Sequence, residues 1–281
     1  MQPASSSKQR AIGIFDSGVG GLSVMREIAR LLPHEDIIYF ADSANCPYGP
    51  RPPQEIRRLS RGIVEFLLGQ GAKIVVVACN TASAAALSYL RRTFAVPIVG
   101  MEPAVKPAAA ITRTGKVGVI ATPVTFQGEL FAKLMERFAT DVEVYTQVCP
   151  NLVRRVEAGL LDDAGTEELL REYLTPMLEA GIDSLVLGCT HYPFLREAIE
   201  RVVGPGVTVI DPSPAVARQV GRVLEREGLE GPRTRRGQHV FYTTGDPATF
   251  AAMVERLIGE QGQVRGARWE EGGKLAPLGW P

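Results

Sequence analysis

The chain has 281 residues, 45% hydrophobic and 22% charged, and its 31 Lys and Arg are matched by 31 Asp and Glu. That neutrality provides no bulk field for nucleic acid or a membrane surface, so neither partner is expected; a small, locally recognised ligand is. No apolar run reaches the roughly 20 residues of a membrane helix, the start MQPASSSKQR has no signal-peptide core, and the four cysteines lack C-x-x-C spacing; a cytoplasmic protein with reduced thiols is expected.

Strand-like runs alternate with helical patterns from the first ordered-looking residue. Ala11–Phe15 predicts a strand, closed by DSGVGGLS (16–23) and followed by a helix over Leu22–Leu32. Next come a strand at Ile37–Ala41, the proline-rich loop ADSANCPYGPRPPQEI (41–56) and a helix over Gln54–Leu68. Strands at Ile74–Ala78 and Pro97–Gly100 precede PIVGMEPAVKP (97–107), whose prolines and glycine predict a domain break. Beyond it, strands at Lys116–Ala121, Val142–Gln147, Ser184–Leu187 and Val207–Ile210 alternate with helices over Phe126–Phe138 and Glu167–Ala180. VIDPSPAVA (209–217) reads as a return crossing, with a helix over Ser213–Arg226 and a last strand at His239–Thr243. The remainder, from about residue 262, is rich in Gly and charge without periodicity and is expected to be a mobile tail. The alternation predicts an α/β fold with largely parallel sheets. The expected division is a first lobe of 1–101 plus 211–281 and a second of 102–210.

Two cysteines stand in look-alike settings. In KIVVVACNTASAAAL (73–87) and DSLVLGCTHYPFLREA (183–198), an apolar run meets a small residue, a cysteine, two polar side chains and a helical pattern. Wholly apolar runs of this kind are buried parallel strands, and ligands collect outside the carboxyl ends of such strands. AIGIFDSGVGG (11–21) also lines up with KVGVIATPVTF (116–126), which makes the chain read as two copies of one plan, each ending in a cysteine. Such copies, facing each other across a pseudo-two-fold axis, aim Cys79 and Cys189 at one central cleft. A buried thiol is ordinarily a small hydrophobe, but the paired context points to two matched proton transfers.

Other candidates follow from their places. Asp16 ends a strand and would face a ligand in the cleft. The glycine-rich 16–23 turn reads either as a tight strand-to-helix turn or as backbone N–H groups offered to a carboxylate; it lacks the third glycine of a dinucleotide fingerprint and a P-loop lysine. Tyr48 and Gly49 could give an aromatic wall and a backbone N–H to an anion. His191, two residues after Cys189, reads as an acid–base partner or a ligand donor. Cys46 and Cys149 read as structural, Glu157 as a solvated helix residue, and the histidines as too scattered for a metal site.

At GIFDSGVGGLSV (13–24), PYGPR (47–51), ACNTAS (78–83), GCTHYP (188–193) and FYTTGDP (241–247) the chain resembles the glutamate racemases of the aspartate/glutamate racemase superfamily, over about residues 11–258. The resemblance implies two pseudo-symmetric three-layer α/β lobes with the active site in the cleft between them. It implies cofactor-independent interconversion of L- and D-glutamate, an isomerase without pyridoxal phosphate or metal, feeding D-glutamate to peptidoglycan and cell-wall synthesis. Carried over, Cys79 takes the proton from D-glutamate and Cys189 from L-glutamate, with Asp16 and His191 supporting them. Ser17, Tyr48, Gly49, Asn80, Thr81 and Thr190 become substrate contacts, together with Asp16 and His191. A homodimer is implied by the resemblance alone. Aspartate racemase is the alternative, and Thr-His after the second cysteine favours glutamate. A Cys–His hydrolase would leave Cys79 unexplained, an amino-acid binding protein would need neither thiol, and a redox dithiol pair would cross-link under mild oxidation.

Overall fold

The computed structural model describes residues 11–139 and 141–278. The polar start of the chain, residues 1–10, lies outside the described residues. Four strands come first: β1 (Ala11–Asp16), β2 (Ile37–Ala41), β3 (Ala72–Val77) and β4 (Ile98–Val99). Four more follow: β5 (Lys116–Ala121), β6 (Glu143–Val148), β7 (Ser184–Gly188) and β8 (Thr208–Ile210). The chain ends with β9 (His239–Thr243), β10 (Gln263–Trp269) and β11 (Leu275–Pro277).

They form two sheets, of order β11-β10-β9-β2-β1-β3-β4 and β6-β5-β7-β8. The repeat suspected in the sequence is visible here. Within the larger sheet β2-β1-β3-β4 has the same order as β6-β5-β7-β8, so β1 corresponds to β5 and β3 to β7. Every pairing in both quartets is parallel. The central strands β1, β3 and β7 are buried along their whole length, as parallel strands covered on both faces must be. The α/β class expected from the alternation is the class observed.

Helices α1 (Leu22–Leu31), α2 (Pro53–Gly69) and α3 (Asn80–Thr93) follow β1, the proline-rich loop and β3. After α4 (Val105–Ile111), the helix expected over Phe126–Phe138 is two pieces, α5 (Pro123–Gln127) and α6 (Glu129–Phe138). The break is Gly128, extended at ψ 141°, where an added Cβ would lie 2.9 Å from that of Ala84; close packing on α3 overrides the helical pattern. Helices α7 (Pro150–Glu157), α8 (Ala164–Glu179) and α9 (Arg196–Val203) complete the second sheet's surroundings. The chain then returns through α10 (Ser213–Arg226), which packs on α1, and α11 (Pro247–Ile258). One continuous core cluster joins Ile12 and Ile14 of β1, through Cys149, Val153 and Val156, to Leu185 and Leu187 of β7. Among the described residues no helix is long and apolar enough to cross a membrane.

Of the stretch expected to be a mobile tail, residues 263–269 and 275–277 are instead β10 and β11, and residues 279–281 lie outside the described residues. β10 pairs in parallel with β9, and β11 returns antiparallel along β10. Pairing with β9 and β11 sets the place of β10, whose sequence Arg265 and Arg268 keep from reading as an apolar run.

Candidate active site

Cys79 and Cys189 follow β3 and β7, the corresponding strands of the two quartets. Cys79 is the N-cap of α3, and its Sγ accepts the Ala82 N–H at 3.4 Å. Cys189 differs: the turn after it is a short 3₁₀ segment, Tyr192–Leu195, before α9 begins at Arg196. The two thiols therefore have different partners. Both are closed off from solvent, at 4% and 6% exposure.

Asp16, fully buried at the end of β1, lies within hydrogen-bonding reach of Cys79. Its Oδ2 accepts the Gly21 N–H at 2.7 Å and the Thr190 hydroxyl at 3.4 Å, and Ser17 Oγ reaches its Oδ1 at 3.5 Å. Burial raises the Asp16 carboxyl, against the opposing pull of the His191 charge. Burial pushes the Cys79 thiol well above its ordinary value, and the charges of Asp16 and Cys189 push it further. A positive charge beside Cys79 would oppose that bias.

His191 lies beside Cys189. Its Nδ1 lies 3.7 Å from Cys189 Sγ, and its Nε2 lies 2.7 Å from Glu157 Oε1. Burial works against an imidazolium here, but bonding to Cys189, Cys46 and Glu157 overcomes it and holds the proton on His191 well above the ordinary range. Glu157 is the residue the sequence misassigned. It is no solvated helix residue: its Oε1 also accepts the Val19 N–H at 2.8 Å and meets Cys46 Sγ at 3.5 Å. Burial would raise its carboxyl, yet the bonds from His191, Val19 and Cys46 hold it below the usual range. Cys46 likewise is not an isolated structural thiol. It faces Glu157 and, at 3.9 Å, Ser17 Oγ, and burial pushes it up to about 12. Cys46, Glu157 and His191 bring one potential ligand atom each within 4.8 Å of one another, a cluster that sequence spacing did not disclose.

The glycines of 16–23 are required by space. None of Gly18, Gly20 and Gly21 has a left-handed φ. A Cβ on Gly18 would stand 2.0 Å from Glu157 Oε1, one on Gly20 2.3 Å from His191 Nδ1, and one on Gly21 2.7 Å from Asp16 Cβ. The turn is bare because Glu157, His191 and Asp16 pack directly on it. Ser23, in place of a third glycine, donates to the Thr190 carbonyl at 2.9 Å and fastens the turn to the segment after Cys189.

The remaining predicted contacts divide by how free they are. Tyr48 is buried, and its hydroxyl is committed to Asp42 Oδ2 at 2.6 Å, so of its polar groups only the backbone is left for a ligand. Gly49 packs on Thr122, where a Cβ would come to 3.2 Å. Thr81 Oγ1 bonds Thr122 Oγ1 at 2.8 Å, bridging α3 to the end of β5. Asn80 stands apart. It is 3% exposed, and among the described residues neither its amide nitrogen nor its oxygen has a hydrogen-bond partner. A buried, unpartnered amide beside Cys79 is poised for a ligand.

Residues 12–220 match the Asp/Glu/hydantoin racemase family model. The chain belongs to that family. It is 53% identical over 250 residues to the glutamate racemase of Herpetosiphon aurantiacus, covering 89% of this chain and 98% of that one. Among solved structures it is similar to glutamate racemase isoform RacE1 of Bacillus anthracis, with a TM-score of 0.83, 38% identity, and coverage of 92% and 97%. It is similar also to the Francisella tularensis glutamate racemase in complex with D-glutamate, with a TM-score of 0.81, 32% identity, and coverage of 94% and 98%. As a racemase-family member the chain is an enzyme of the isomerase class, as its motifs implied. Racemisation needs a proton donor on one face of a carbon and an acceptor on the other. In this chain two buried thiols stand beside different titratable groups, Cys79 beside Asp16 and Cys189 beside His191 and Glu157.

Proposed function

We propose that this enzyme interconverts L- and D-glutamate by proton transfer between Cys79 and Cys189, without a cofactor. The Cys189 thiolate takes the Cα proton of L-glutamate, leaving the electron pair on Cα, and the Cys79 thiol returns a proton to the opposite face. From D-glutamate the direction reverses. Asp16 supports Cys79, and His191, held by Glu157, supports Cys189. Ser17, Asn80, Thr81 and Thr190, with the Tyr48–Gly49 backbone, hold the substrate. The Cα proton is very weakly acidic, so fixed donors must stabilise the developing carbanion, and acid–base transfer alone supplies about 10²–10⁴-fold.

The observation that carries this reading is the equivalence of β3 and β7, each delivering one buried cysteine. The lobes divide near residues 101 and 210 and close over the substrate. D-glutamate is supplied to peptidoglycan synthesis in the cytoplasm, by a monomer or a homodimer. The test is incubation with L-glutamate in D₂O without added cofactor. Deuterium at Cα and decay of optical rotation are expected; unexchanged, optically intact substrate refutes the proposal. Aspartate is run in parallel, since its faster turnover would favour the aspartate racemase alternative.

A further inference from the structure

Cys46, Glu157 and His191 come from three separate elements: the loop after β2, the last residue of α7 and the turn after β7. Cys46 and Glu157 make no part of the proton path proposed above, though Glu157 orients His191. We propose that these three residues form a binding site for a thiophilic divalent cation, best suited to Zn²⁺, and that occupancy switches the enzyme off. The second half rests on the role given to His191 above.

The donor set and its spacing suit the ion. Thiolate, imidazole and carboxylate are the common zinc donors, and three protein ligands with a fourth place for water is an ordinary open site. Bonds of about 2.0–2.3 Å in a tetrahedron set neighbouring donors about 3.3–3.8 Å apart. Cys46 Sγ and Glu157 Oε1 already stand at 3.5 Å. His191 Nε2 and Glu157 Oε1, at 2.7 Å, need to open by about half an ångström to meet that range. The outer shell is present too: the Val19 N–H orients Glu157 at 2.8 Å, and Ser17 Oγ lies 3.9 Å from Cys46 Sγ. Such outer partners orient ligands and sustain affinity. The Glu157 side chain is 24% exposed, so one of the three donor residues reaches solvent.

The consequence follows from the two ring nitrogens. A metal on His191 Nε2 fixes the remaining proton on Nδ1, the atom that faces Cys189 at 3.7 Å. The imidazole can then no longer change protonation state as Cys189 gives and takes its proton. Glutamate turnover stops although neither catalytic thiol has been touched.

Co²⁺ serves as the optical probe, added to reduced protein carrying Cys79→Ser and Cys189→Ser, which removes the competing thiols. A thiolate-to-cobalt charge-transfer band saturating at one equivalent is expected, lost on adding Cys46→Ser and kept on adding Cys149→Ser. No band, or a band indifferent to Cys46→Ser, overturns the site. In the otherwise intact enzyme, Zn²⁺ inhibition should weaken by about 10–100-fold or more in Cys46→Ser, relative to that variant's own chelator-treated rate. Binding without inhibition overturns the switch and leaves the site. Absence of glutamate racemisation in the chelator-treated parent would fail the proposed reaction itself, and the cobalt spectrum reports independently of it.

Discussion

The indole N–H of Trp269 donates to Asp42 Oδ1 across 2.8 Å, which ties β10 to the loop that carries Tyr48. Asp42 is fully buried and also accepts from Tyr48 at 2.6 Å, Thr244 at 2.9 Å and Asn45 at 3.0 Å. Trp269→Phe keeps most of the ring and removes one donor. We predict a loss of about 1–3 kcal/mol, the range for a bond to a buried carboxyl group. It should appear as a lower urea midpoint at unchanged slope, with a raised KM as the Tyr48–Gly49 loop loosens. An unaltered midpoint would show that β10 does not brace this loop.

That contact also shows what the sequence conceals. The strands β1, β2, β5 and β9 were legible because their apolar runs and turn residues are local properties of the chain. In β10 the deeply buried positions are only Gly266 and Ala267, and Arg265 and Arg268 break any apolar run. Its place is set by β9 and by Trp269 packing on Gly62, where a Cβ would come to 2.7 Å. The same holds in the site. Both cysteines, Asp16 and His191 were visible beside their strands. Glu157 was not, because its partners Val19 and Cys46 lie 138 and 111 residues away. No local pattern encodes a carboxylate that fits only because Gly18 has no side chain.

Glu157→Gln should act through His191 and be read by pH. Removing an opposite charge at this distance lowers the imidazolium pKa by about 1 unit or more, so the alkaline limb of kcat for L-glutamate should move to lower pH. The stability effect has a window. The raised His191 value contributes stability that is complete below the ordinary 6.5 and is lost as pH rises through the folded value. The lowered Glu157 value contributes stability present above the ordinary 4.5 and lost as pH falls through its folded value. Parent and variant should therefore differ most between those two ordinary values. A difference that keeps growing above neutrality would contradict the assignment.

Gly20→Ala tests the packing of the glycine turn. The new methyl would stand 2.3 Å from His191 Nδ1 and 2.7 Å from Thr190 Oγ1, so the imidazole or the turn itself must shift. Overpacking of this kind costs about 1–3 kcal/mol. Activity should suffer far more, by about 10²-fold, since a displacement near 1 Å is enough. Activity close to the parent's would mean that His191 need not stay where it is.

The two thiols should be separable by isotope. Cys79→Ser and Cys189→Ser should each lower net racemisation by about 10²–10⁴-fold. Each should retain deuterium exchange from the one enantiomer whose Cα faces the surviving thiol: L-glutamate for Cys79→Ser and D-glutamate for Cys189→Ser. Equal exchange of both enantiomers in either variant would rule out the one-thiol-per-face arrangement.

Asn80 separates stability from function most directly. Its amide is buried at 3% exposure, and among the described residues neither its nitrogen nor its oxygen has a partner; an unsatisfied buried polar group costs about 1–3 kcal/mol. A side chain kept there for structural reasons would be hydrogen-bonded, so removal should not weaken the fold. Asn80→Ala leaves the N-terminal turn of α3 intact, because that turn is capped by Cys79. It removes the unpaired amide, at the expense of a small cavity. We predict a melting temperature equal to or above the parent's, with KM for glutamate raised about 10–100-fold through the loss of hydrogen bonds to a charged ligand, each worth about 1.5–3 kcal/mol. Saturating D-glutamate should protect the parent against unfolding more than it protects the variant. A lower melting temperature with unchanged KM would show that the amide serves the scaffold and not the substrate.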